Sequence, residues 1–78
     1  MVRVRYFALL REQRGLGEEQ VSTEASTAAE LYAELRGRHG FTLPQDRLRV
    51  AVNEEFRPWR TALAEADSVV FIPPVAGG

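Results

Sequence analysis

The sequence predicts an α+β domain: a mixed sheet of about five strands with one main helix packed on one face. Three observations carry this expectation. The chain opens on a strict alternation of apolar and polar residues, its middle holds a single capped stretch of helical periodicity, and its last apolar run is hydrophobic on both faces. At 78 residues there is room for one domain, residues 1–78. A chain of this length buries only about 60% of its unfolded surface and cannot divide that between two cores.

In chain order, "VRVRYFAL" places Val2, Val4, Tyr6 and Ala8 on one side and Arg3, Arg5, Phe7 and Leu9 on the other, the mark of a strand with one buried face. The following "LLREQRG" is a connection ended by Gly15 and Gly17, and "EEQVST" is a modest second strand, the hairpin partner of the first. "STAAELYAELRGRHG" carries the clearest helix signal. Thr27 and Glu30 fit a capping box, Ala28, Leu31, Tyr32 and Leu35 recur at helical spacing, and Gly40 is a natural stop. Arg36, Arg38 and His39 fall in the last turn, where positive charge complements the helix dipole; that accounts for His39 without a catalytic role.

"DRLRVAVN" is a third strand with Leu48, Val50 and Val52 inward and Arg49, Ala51 and Asn53 outward. "NEE" is a turn into a short strand at Phe56, and the loop "RPWRTALAEADS" is expected to hold one helical turn at Thr61 to Ala64. "SVVFIPP" is too apolar on both faces to be an exposed edge, so it is expected at the centre of the sheet with the first strand as parallel neighbour.

Composition removes several kinds of chemistry. With no cysteine and one histidine, the chain can build no disulfide, thiolate nucleophile or multi-histidine metal cluster, and no metal site is expected. A net charge of -1 provides no overall drive toward nucleic acid. Arg3 and Arg5 interrupt the opening apolar run, which reads as neither signal peptide nor membrane span, so a cytoplasmic protein with no membrane partner is expected. All ten basic residues are arginine. Without a lysine amine the chain forms no Schiff base and accepts no side-chain isopeptide bond.

One helix covers one face of a sheet, and the other face must meet water or a partner. Its expected occupants are Arg3, Arg5, Phe7, Arg49, Ala51, Val70 and Ile72, with Phe56 nearby. Either the loop from Phe56 to Ala66 folds over the apolar members, or they form an arginine-rimmed patch of the kind that marks an interface; the aromatic and arginine content favours the interface. Beyond it, Pro73 and Pro74 cannot donate to a ladder, so residues 73–78 read as an extended tail. Gly77 and Gly78 are thin enough to thread a channel that any side chain would block. The chain has no P-loop and no lysine, so activation of a terminal carboxylate has to be performed on it by another protein.

"VRYFALLRE", "AVNEEF" and "LAEADSVVFIPPVAGG" together resemble the small, sulfur-carrying subunit of molybdopterin synthase over the full length of the chain. The ending of the form F-x-P-P-V-x-G-G is the most specific element; diglycine alone also fits thiamine-pathway carriers, tRNA-thiolation carriers and ubiquitin-like modifiers. One departure is "ADS", where many relatives have an Asp-Gly-Asp turn. The resemblance implies a ubiquitin-like β-grasp fold and a carrier with no catalytic side chains of its own. It implies that an adenylating enzyme similar to ubiquitin activators uses ATP to activate the Gly78 carboxylate. A persulfide donor then supplies sulfur for a terminal thiocarboxylate, and the tail, from Pro73 and Pro74 through Val75, Ala76 and Gly77, enters the large subunit. There the sulfur passes to cyclic pyranopterin monophosphate, in an assembly of two large and two small subunits. It also matches Phe7, Phe56 and Ile72 to the family's contact residues and Arg11 to an arginine near the partner surface; Val70 joins them by strand parity. No cofactor bound by the chain itself is implied. A ubiquitin-like modifier and a plain interaction module remain the alternative readings.

Overall fold

The computed structural model describes residues 1–74; Val75, Ala76, Gly77 and Gly78 lie outside the described residues. Five strands form one mixed sheet: β1 Val2–Tyr6, β2 Glu18–Val21, β3 Arg49–Val52, β4 Glu55–Arg57 and β5 Ser68–Ile72. Their spatial order is β2-β1-β5-β3-β4. The closing strand is central, parallel to β1 on one side and antiparallel to β3 on the other, as its two apolar faces require. Helix α2, Ala28–His39, supplies the main cover, burying Ala28, Leu31, Tyr32 and Leu35.

Its N-terminus shows how the sequence signal becomes geometry. Thr27 Oγ1 accepts the Glu30 N–H at 3.2 Å, one half of the capping box. The Glu30 carboxylate reaches past Thr27 and instead accepts the N–H and hydroxyl of Ser26 at 3.1 and 3.0 Å. Two further first-turn donors, the N–H groups of Ala28 and Ala29, are taken by the carbonyls of Thr61 and Trp59. These contacts explain why the helical turn expected at Thr61 to Ala64 does not form. The segment is extended there, bridging Thr27 through Ala62, because its backbone serves α2. At the other end Gly40 adopts a left-handed φ of 70° and donates to Arg36 O, the expected stop.

The first strand is shorter than its alternation predicts. It ends at Tyr6, and Ala8–Arg14 forms a second, short helix α1. Parity would have buried Ala8; the helical turn leaves Ala8 exposed and drives Leu10 fully into the core. A leucine removes far more apolar surface from water than an alanine, and tertiary burial therefore overrides the local pattern.

The core is aromatic at its centre. Phe71 of β5 meets Tyr32 at 5.1 Å between ring centroids and stacks on Trp59 at 5.9 Å, and Tyr6 meets Phe41 at 5.4 Å. Trp59 and Leu63 show where the long loop goes: it packs on the helical side of the sheet and does not cross the opposite face.

The turn feeding β5 carries the "ADS" departure. Asp67 N–H donates to Ala64 O across this turn, and Ala66 holds a φ of 69°, where glycine is at ease and alanine is strained. Ala66→Gly is expected to stabilise the fold by about 0.5–1 kcal/mol, offset in part by the greater freedom of glycine when unfolded. Chemical denaturation with an unchanged or lower midpoint for the variant would contradict this.

Candidate functional site

The register that sends Val4, Tyr6, Val50, Val52, Val69 and Phe71 into the core leaves a complementary set on the open face. One row runs straight across all five strands: Glu18, Arg5, Val70, Ala51 and Phe56, each paired with the next. Arg49 faces Ile72 in the neighbouring position at the tail end of the sheet. Ala51 is buried although it lies on this face, its methyl group set between Val70 and Phe56. Val70 and Ile72 are half-buried, whereas Phe7 and Phe56 are 40% and 64% exposed. Large aromatic rings left that open beside aliphatic strand residues form an apolar patch, and the interface alternative offered by the sequence is the one that the strand parity supports.

Arginines frame the patch. Arg5 lies 5.5 Å from the centre of the Phe7 ring, and Arg5 and Arg3 face Glu18 at 3.7 and 4.0 Å. All three charged side chains are about half exposed, so these pairs orient the arginines more than they stabilise the fold. Toward the end of β5 a shallow groove of about 420 Å³ is walled by Leu48, Phe56 and Ile72, with Asp46, Arg47 and Arg49 on its rim and Pro73 and Pro74 at its mouth. Pro73 is buried and Pro74 exposed, so the chain leaves the body of the domain between them. The expected tail residues Val75, Ala76, Gly77 and Gly78 lie outside the described residues.

Arg11 is placed differently. It sits on α1 with its side chain against Gly17, where an added Cβ would come within 3.2 Å of its Nε, and it does not line the groove. Conversely, Arg47 joins the site without having been singled out in the sequence. It belongs to the single 3₁₀ turn Gln45–Arg47, an element with no periodicity to reveal it. Among the described residues there is no group of histidines and carboxylates that could hold a metal ion, and no helix is long and apolar enough to cross a membrane.

A second polar cluster lies on the core side, at the end of α2. Glu19 accepts the Tyr6 hydroxyl at 2.6 Å and both Nε and a terminal nitrogen of Arg14 at 3.0 and 2.8 Å. His39 Nε2 stands 3.6 Å from the same carboxylate, buried and without a hydrogen-bond partner. The Arg14 guanidinium, aided by Tyr6, holds the Glu19 carboxyl at about 2, while burial and then Glu19 push the Tyr6 phenol up. Burial and the nearby Arg14 push His39 below its ordinary value, which favours the neutral form at pH 7; the dipole expectation for this residue needs that correction. These groups neutralise each other and brace β1, β2, α1 and α2.

The signs follow from linkage. His39 contributes stability that is whole above its ordinary value of 6.5 and is lost as pH falls below it. Glu19 contributes stability that is whole above 4.5 and is lost as pH falls toward about 2, worth about 2–3 kcal/mol for a mostly buried carboxylate. Acid denaturation is therefore expected in two stages, the lower one missing from Glu19→Gln. A Glu19→Gln protein as acid-sensitive as the parent below pH 4.5 would remove this account.

Comparison with known proteins agrees with the geometry. Over 81 aligned residues covering all of both chains, the protein is 32% identical to the molybdopterin synthase sulfur carrier subunit of Haemophilus influenzae. Among solved structures it is similar to SAMP1 of Haloferax volcanii (TM-score 0.80, 25% identity, 99% of this chain and 98% of that one). It is also similar to a candidate molybdopterin converting factor subunit 1 of Pyrococcus furiosus (TM-score 0.79, 31% identity, 95% and 97%). A third likeness is to a protein–protein complex of subunits 1 and 2 of the molybdopterin-converting factor of Helicobacter pylori (TM-score 0.67, 26% identity, 99% and 97%). Residues 4–78 match the ThiS family, and with β5 central, an open apolar face beside its end and curated relatives alike from end to end, this chain belongs to that family of ubiquitin-like sulfur carriers.

Proposed function

We propose that this chain is the sulfur-carrying small subunit of a molybdopterin synthase. The observation that carries this reading is the end-to-end identity with curated subunits of that name, on a fold whose open face and tail root are built for docking and not for catalysis. The described open face presents arginine, glutamate, serine and apolar side chains, none of them a nucleophile activated by a base. The reaction is therefore one in which the chain contributes an activated end. An adenylating enzyme transfers AMP from ATP to the Gly78 carboxylate, releasing pyrophosphate. A persulfide donor displaces AMP, and after reductive release of the donor a thiocarboxylate remains. The tail then carries that sulfur into the large subunit, toward cyclic pyranopterin monophosphate, in an assembly of two large and two small subunits.

Docking of the large subunit on the face formed by Phe7, Phe56, Val70 and Ile72 positions the tail, because Ile72 is both a patch residue and the last residue of β5. The activating enzyme needs the same tail root, so the two complexes exclude each other. The test is the intact mass of the full chain after incubation with ATP, the adenylating enzyme and a sulfur donor. Replacement of one oxygen by one sulfur is the expected result; an unchanged mass with an enzyme shown to be active would overturn the carrier role. The likeness to SAMP1, a protein described as a small archaeal modifier, favours a second reading in which Gly78 is joined to amines of other proteins. Covalent adducts on denaturing gels, in place of the sulfur-bearing free chain, would select it.

A further inference from the structure

Among the described residues, four other than glycine hold a positive φ: Ala8, Asn53, Glu54 and Ala66. Asn53 and Glu54 are the central pair of the β3–β4 hairpin, where a two-residue turn demands that sign, and Ala66 lies in the turn into β5. Ala8, at a φ of 52°, stands alone between a strand and a helix. It is exposed, so no burial of its methyl group offsets the strain. The chain on each side of it is held. Tyr6 pairs with Phe71 in the ladder and donates its N–H to Gly17 O at 2.9 Å, while α1 is fixed by the fully buried Leu10 and by Arg14 on Glu19. Phe7 itself is extended, at φ -127° and ψ 155°, and keeps the outward parity of β1 beside Arg5. One residue is left to turn the chain, and it is Ala8.

We propose, resting on the reading of the open face as a docking surface, that Ala8 is a positioning residue of that surface. Its left-handed kink holds the Phe7 ring outward for a partner while Leu10 enters the core. The right-handed helical value lies about 115° away in φ. Rotation of one backbone bond by that much redirects the chain, so Phe7 and Leu10 could not both keep their places. Leu10 is the better held of the two, because it is fully buried and Phe7 is 40% exposed. Relaxation at Ala8 therefore displaces Phe7. Backbone strain of this kind persists only where the surroundings over-determine it, and it gathers at functional sites. Here it serves the aromatic contact and not the core, which Ala8 does not enter.

The first readout needs no partner. The Arg5 guanidinium lies 5.5 Å from the centre of the Phe7 ring, so the ring moves the Arg5 side-chain proton resonances upfield. Ala8→Val and Ala8→Asn are close in size, but asparagine accepts a left-handed φ and a β-branched valine does not. That upfield displacement is expected to be lost in Ala8→Val, as in Phe7→Ala, and kept in Ala8→Asn. A synthetic chain with D-alanine at position 8 carries the same methyl group on a residue that favours positive φ. It is expected to keep the displacement and to melt above the parent, which decides the matter even if Ala8→Val does not fold. The second readout is titration calorimetry against the large subunit of a molybdopterin synthase. Phe7→Ala and Ala8→Val are each expected to weaken binding about tenfold, and the double variant by the same tenfold, because Ala8 acts only through the ring. A folded Ala8→Val protein that keeps the Arg5 displacement, an Ala8→Asn protein that loses it, a D-alanine chain that melts below the parent, or additive losses in the double variant would overturn the role of Ala8. Phe7→Ala binding as tightly as the parent would instead overturn the docking reading, and the Arg5 resonances would still report whether the kink places the ring.

Discussion

Deletion of Gly78 is expected to abolish sulfur loading and sulfur transfer completely while leaving the thermal midpoint unchanged. The terminal carboxyl is the reacting group in the proposed chemistry, and deletion leaves only a Gly77 carboxyl set back by one residue, about 3.5 Å from where a partner's active site would receive it. Stability is untouched because the hydrophobic core draws on residues between Val2 and Phe71 and is complete before the tail begins. Gly77→Phe is expected to give the same loss of transfer by a different route, since its ring would obstruct the proposed threading of the tail into the large subunit. Intact mass after activation and a melting curve check both halves. A deletion variant that still gains sulfur would place the reactive group elsewhere, and one that unfolds would show the tail to be part of the core.

Phe56→Arg is expected to weaken binding to the large subunit about 100-fold, or about 2–3 kcal/mol, with little change in stability. Phe56 is the most exposed large apolar side chain of the described residues, at 64%, and it forms the end of the row through Ala51 and Val70. Such a ring gains most by entering a partner's pocket. An arginine there would have to be desolvated on entering an apolar pocket, beside a rim where Arg47 and Arg49 outnumber the one carboxylate, Asp46. Phe7→Arg is expected to do less, because Phe7 is less exposed and already contacts Arg5. Titration calorimetry against the large subunit reads both. An unchanged affinity for Phe56→Arg would move the interface off this face.

Much of this was legible before any coordinates. Alternation is a two-residue signal, and it assigned Val70, Ile72 and Arg49 to the open face because a strand has no other way to place alternate side chains. Thr27, Glu30 and Gly40 marked the ends of α2 because capping is local chemistry: a side-chain oxygen for an unpaired N–H, and a residue that accepts left-handed φ. Where the sequence misled, a distant partner was responsible. Ala8 lost its inward place to Leu10, and Thr61 to Ala64 gave up a helical turn to hydrogen-bond α2. The capping box slipped by one residue when Glu30 found Ser26.

The sequence by itself determined the order of the five strands and the main helix, the central position of β5, the missing chemistry of cysteine and lysine, and the family to which the ending points. Each of these depends on residue type or on spacing within one segment. Only the tertiary structure decided that the long loop packs on the helical side and leaves Phe56 and Ile72 uncovered, that Arg47 joins Arg49 at the tail root, and that Glu19, Tyr6, Arg14 and His39 converge. Those facts turn on which segments far apart in the chain bury each other's surface, and that choice is made by the whole core at once.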